Sequence, residues 1–131
     1  MKTPLPLLSL LSLTLSSTTL ALGINCRGAF GCGADLEDFS LGDLISAASS
    51  IDDNRVWQNG QHAACATGSV DLNAICAFPQ GTANGIAGWK IKQLLGFLQT
   101  HGCTRCGSVP LNFPNDNDVD DAGMLTVNYV T

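Results

Sequence analysis

Apolar positions change period several times along this chain, and each change marks an element. Residues 5–15 are almost continuously apolar, broken only by Pro, Ser and Thr, with no polar helical face. Across 40–51, Leu41, Leu44, Ile45, Ala48 and Ile51 recur at the spacing that lines one side of a helix. Ser40 stands where an N-cap is needed and Asp43 follows three residues later, the order of a capping box. Asp52, Asp53 and Asn54 end that pattern. A second helix is predicted over 86–100, with Ile91, Leu94, Leu95 and Leu98 as its apolar stripe and Gly102 placed to stop it after His101.

Strand signals occupy the intervals. Leu125, Val127 and Tyr129 alternate with Thr126 and Asn128 in 124–130, the period of a half-buried strand. Residues 71–80 read as a central strand and 103–111 as another. Residues 56–67 read as a strand region with Asn59-Gly60 as an internal turn. The Gly/Cys-rich stretch 22–33 is consistent with a short strand pinned by bridges, and 112–123 reads as a polar loop. Trp57, Trp89, Phe78 and Phe97 are most simply core residues. The order β-α-β-β-α-β-β predicts an α+β fold: an antiparallel or mixed sheet with both helices on one face.

Length and charge narrow the class. The 131 residues suit one domain with one modest core. Met1-Lys2-Thr3, the apolar run and the small residues Thr19 and Ala21 have the layout of a secretory signal, too short in its apolar part for a bilayer anchor. The expected division is a signal peptide over 1–21, cut after Ala21, and a single domain over 22–131. A buried N-terminal helix is the weaker alternative. Loss of Lys2 leaves five basic residues against eleven acidic ones, a net charge near −6. Such a surface disfavours nucleic acid and anionic membranes, which reward clustered Lys and Arg. No Asn-X-Ser/Thr sequon is present.

All six cysteines, Cys26, Cys32, Cys65, Cys76, Cys103 and Cys106, follow the leader, and an even count there reads as a disulfide framework. Counting leaves about fifteen connectivities. The Cys103-Thr104-Arg105-Cys106 spacing admits a redox dithiol, a metal knuckle or two structural bridges. The motif follows a helix instead of opening one, so no helix N-terminus lowers a thiol pKa, and structural bridges are favoured. Two adjacent strands could link the Cys26/Cys32 pair twice to the Cys103/Cys106 pair. Cys65 and Cys76 would then join across a hairpin centred on Gly68-Ser69.

Little in the chain suggests catalysis. His62 and His101 are the only histidines, and no Ser-His-Asp or Cys-His set can be assembled when every cysteine is oxidised. Glu37 and Asp38 lie in a solvated-looking loop. Residues 116–121 resemble a calcium loop but hold Asp121 and Val127 where an EF-hand needs Gly and Glu, so an Asx-rich turn is the better reading. No cofactor and no metal are expected. Arg105, Lys90, Lys92 and Arg55 are the basic residues that could mark a contact surface.

Three blocks carry a resemblance over essentially the whole mature chain: Leu22-Gly23-Ile24-Asn25-Cys26-Arg27-Gly28 continuing to Cys32-Gly33, His101 through Leu111, and Gly123 through Val130, with Asn117-Asp118-Val119 before the last. In this order and at these distances they resemble the fungal killer-toxin family of the KP-four type. The resemblance implies a two-layer sandwich: an antiparallel sheet of about five strands with two antiparallel helices on one face, built from split βαβ units. It implies bridges Cys26–Cys103 and Cys32–Cys106, leaving Cys65–Cys76. The founding pattern has ten cysteines, and Gly85 and Lys92 stand where two of the others fall. The resemblance implies a toxin that is secreted, is not an enzyme and inhibits fungal growth, and the founding member is associated with block of calcium channels. A basic surface is implicated there, including a lysine two residues before a strand cysteine, where this chain has Ala74. The expected protein is a secreted, extracellular monomer, without membrane anchor, that binds a cell-surface protein such as an ion channel and inhibits competing fungi or affects a host. The alternative is an effector on the same scaffold that binds a cell-wall glycan or a host protein.

Overall fold

The computed structural model describes residues 23–33, 39–68 and 73–130. Its elements are a 3-10 turn Phe30–Gly33, α1 Leu41–Ala48, β1 Val56–Trp57, β2 Ala64–Thr67, β3 Ala74–Gln80, β4 Ile86–Ala87, α2 Gly88–His101, β5 Gly107–Pro110, α3 Val119–Ala122 and β6 Met124–Val130. The predicted capping box is present: the Asp43 N–H donates to Ser40 Oγ at 3.1 Å and the Ser40 N–H to Asp43 Oδ2 at 2.9 Å. α1 stops at Ala48, short of the apolar pattern. The Ser49 and Ser50 hydroxyls bond back to the Ser46 and Ala47 carbonyls, a local alternative to helical pairing.

α2 begins at Gly88 because Ile86 and Ala87 are taken by another partner. They pair antiparallel with Trp57 and Val56 in a two-stranded ribbon. The first amides of α2 then donate to the loop before β1, Gly88 N–H to the Arg55 carbonyl at 2.8 Å and Trp89 N–H to that of Asp53 at 3.1 Å. Gly102 stops the helix at φ 105°, a left-handed conformation that favours glycine.

The main sheet has four strands in the order β2-β3-β6-β5, all antiparallel. The predicted region 56–67 therefore does not fold back on itself. Its first half joins β4 and its second half joins β3, while the Asn59-Gly60 turn is held from outside: Asn59 Oδ1 accepts from the Thr82 N–H and hydroxyl at 3.0 and 2.7 Å. The expected fifth strand is reduced to one bridge, Asn25 opposite Ser108 with bonds of 3.0 and 2.9 Å. Beyond Asn25 the chain must deliver both Cys26 and Cys32 to the same loop, and it turns instead of extending. Within the polar loop, Asp118 caps α3, an element too short to leave a periodic signal.

The inner sheet face carries Ile75, Ala77, Val109, Leu125 and Val127, all buried with Leu41, Leu44 and Ala48 of α1 and Ile91, Leu94, Leu95 and Leu98 of α2 in a single core cluster. Trp57 belongs to this core, but Trp89 is 55% exposed. The stripe Ile91, Leu94, Leu95, Leu98 sets the buried face of α2, and Trp89 falls outside it.

Candidate functional site

Three bridges order the surface. Cys26–Cys103 and Cys32–Cys106 have Cα separations of 5.1 and 5.9 Å, and Cys65–Cys76 of 4.1 Å. The two cysteines of the CxxC spacing thus serve separate structural bridges. Cys65 faces Cys76 directly in the β2–β3 register. His62 has a ring nitrogen within 4.8 Å of both sulfurs, but sulfurs spent in a disulfide offer no thiolate to a metal.

The paired bridges fasten the N-terminal segment to the loop after α2 and enclose a cleft of about 620 Å³ between residues 26–33 and 102–106. Arg27 and Arg105 line it, and no carboxylate or imidazole stands among its described lining residues. Arg105 is braced: its Nη1 donates to the Cys32 carbonyl at 3.4 Å and its guanidinium lies 5.8 Å from the centre of the buried Phe39 ring. Phe30, on the rim, is 94% exposed. A lining of guanidinium and backbone groups can hold a carboxylate or another anion. Its described lining contains no side chain of the kind that usually moves a proton near neutral pH.

Of the four predicted contact residues, the fold places only Arg105 at this cleft. The other three gather at the start of α2. Arg55 stacks 4.6 Å over Trp57, and Lys90 bonds Gln93 Oε1 at 3.0 Å. Lys92 is a half-buried strut, with Nζ 2.7 Å from Asp53 and 2.8 Å from the Ile51 carbonyl, tying α2 to the loop after α1. Arg27 and Phe30 were not among the predicted residues. Arg27 directly follows Cys26 and Arg105 directly precedes Cys106, so the implied bridges were the signal that could have brought the two arginines together.

Other sequence candidates resolve without a site. Ala74 is buried at the start of β3, opposite Thr67 and Val130. The acidic loop satisfies itself: Asp116 Oδ1 accepts from the Asp118 N–H at 3.0 Å and Asp118 Oδ1 from the Asp120 N–H at 2.9 Å, as an Asx-rich turn requires. A hydrogen bond with Asp116, the Asp116 charge and then the Asp118 charge hold the Asp121 carboxyl above its ordinary value. Glu37 and Asp38 lie outside the described residues.

Fold and surface together define a class: a small α+β sandwich whose N-terminal segment is bridged to the loop after its second helix, leaving a basic cleft between them. Such a scaffold presents a rigid surface. The Kp4 family model matches residues 9–131. The KP4 killer toxin of Ustilago maydis P4 virus is 40% identical over 112 residues, spanning 84% of this chain and 81% of that protein. The chain belongs to the Kp4 family and is a killer-toxin-like protein. Among the described residues, no helix is long and apolar enough to cross a membrane.

Proposed function

We propose that this chain is a secreted, monomeric toxin that inhibits the growth of competing fungal cells by binding a surface protein, without catalysing a reaction. A calcium channel is the target we put first. The observation that carries this reading is the 40% identity to a killer toxin over 84% of the chain. Three disulfides support secretion, since such bridges persist in oxidising compartments. Electrostatics supports a local contact. A net charge near −6 repels a carboxylate-lined channel mouth at long range, but screening over about 8 Å at physiological salt leaves the nearest charges to decide. At the cleft those include Arg27 and Arg105.

The test is a growth assay with purified mature protein, with and without added external calcium. Inhibition relieved by calcium is expected, and inhibition that calcium leaves unchanged rules out channel block. A second reading keeps the scaffold but changes the ligand to a cell-wall glycan or a host protein. It is favoured by Ala74, a buried methyl group at the place where the resemblance implies a lysine in the founding toxin. Retention on purified wall material, or binding to host-cell protein without fungal inhibition, would select it.

A further inference from the structure

Phe30 is more exposed than the other large apolar side chains that stand out of the described surface, Trp89 and Val56. It is 94% exposed, whereas Phe39 and Trp57 are nearly fully buried. The segment carrying it is held at several points. Cys32 is bridged to Cys106, and its N–H donates to the Ala29 carbonyl at 2.9 Å to close the turn. The Ala29 N–H donates to Asn128 Oδ1 of β6, also at 2.9 Å. Gly31 lies flat on the Tyr129 ring, where a Cβ would collide with it. With one side of the turn pressed onto β6, Phe30 is held out in water. A floppy loop could fold such a side chain back onto the protein, but this one is fixed. Holding an apolar side chain in its bound position beforehand removes much of the ordering cost of association.

Resting on the killer-toxin reading, we infer that Phe30 is the anchor of the target contact, entering an apolar pocket of a surface protein whose rim is carboxylate-rich and faces Arg27. Arg27 lines the same cleft and is exposed. The alternative of an anionic bilayer fits less well. One phenyl ring supplies at most about a hundredfold in partition, and an extended anionic surface meets the charge of the whole acidic molecule. A pocket meets only the charges within a screening length of the ring. An exposed aromatic and an exposed guanidinium on one cleft are the kind of pair that carries a hot spot once a partner covers them.

The experiment titrates fluorescently labelled mature protein onto a panel of intact fungal cells, before and after surface proteolysis, and onto vesicles of phosphatidylserine and phosphatidylcholine. Wild type should bind at least one strain saturably and lose that binding after proteolysis. Phe30→Ala should weaken it at least tenfold, Phe30→Trp should restore most of it, and Arg27→Gln should weaken it severalfold in low salt and little in high salt. Unchanged far-UV circular dichroism and intact disulfide masses show that each variant folds. The inference is overturned if Phe30→Ala binds within twofold of wild type, if binding survives proteolysis and follows the vesicles, if the variant instead converts a wild-type dimer to monomer, or if no strain binds. Growth is scored separately. Phe30-dependent binding without inhibition refutes the toxin reading alone, and inhibition that Phe30→Ala leaves intact refutes this inference alone.

Discussion

Charge on this molecule acts residue by residue, and the same residue type does different work in different places. Lys92 holds two segments together through Asp53 and the Ile51 carbonyl, whereas Arg27 lines the cleft. Sequence gives both one positive charge and does not separate them. The acidic loop offers a test at this scale. Asp121 is held above the ordinary aspartate value of 3.8, first by its hydrogen bond with Asp116 and then by the Asp116 and Asp118 charges. The folded protein therefore takes up that proton at higher pH than the unfolded chain. The stability this adds is full below the ordinary value and lost as pH rises through the raised one. Asp121→Asn removes the repulsion, so its unfolding midpoint should exceed wild type at neutral pH in low salt. The gain should shrink in acid and in high salt. An equal midpoint at neutral pH and low salt would show that the loop relaxes instead.

Elements here are set by local chemistry and then trimmed by neighbours. Ser40 and Asp43 start α1 with reciprocal bonds, and this was legible because a capping box is written in adjacent residues. Ser40→Ala should cost about 1 kcal/mol, read as a fall of roughly 4–6 °C in the thermal midpoint. No fall would mean that packing of Leu41 and Leu44 alone fixes the helix end. α2 starts two residues later than its apolar pattern, because Ile86 and Ala87 satisfy the helical pattern and a strand pairing equally well. The partner strand, β1, lies some thirty residues earlier. The aromatic ring of Trp89 suggests a core residue, but its position on the helix decides otherwise.

At the scale of the whole molecule, the bridges are unequal. Cys65–Cys76 closes a sequence separation of 11, Cys26–Cys103 one of 77 and Cys32–Cys106 one of 74. Chain entropy assigns about 3 kcal/mol to the short loop and about 4.5 kcal/mol to either long one taken alone. The long pair spans nearly the same loop, so either bridge keeps most of the closure when the other is gone. With one long bridge intact the other closes only about nine residues, six between Cys26 and Cys32 and three between Cys103 and Cys106, so replacing one long bridge by alanines should cost about as much as replacing Cys65–Cys76. Replacing both should cost about 2 kcal/mol more than the two single losses added, a coupling read in a double-mutant cycle from urea unfolding. Additive losses would place the stabilisation in local packing at each bridge.

The sequence alone determined the helical faces, the β6 alternation, the Gly102 stop and the family, since each rests on neighbouring residues or on ordered blocks. It also supplied the disulfide pairing through that family's pattern. Tertiary structure alone decided which strands pair, that the N-terminal stretch turns after one bridge, and that Arg27, Phe30 and Arg105 share one cleft. Those outcomes depend on contacts between separate segments, some thirty residues apart for β1 and β4 and more than seventy for the N-terminal bridges. Local periodicity carries no information about such contacts, because it records which face of a segment is buried and not what buries it.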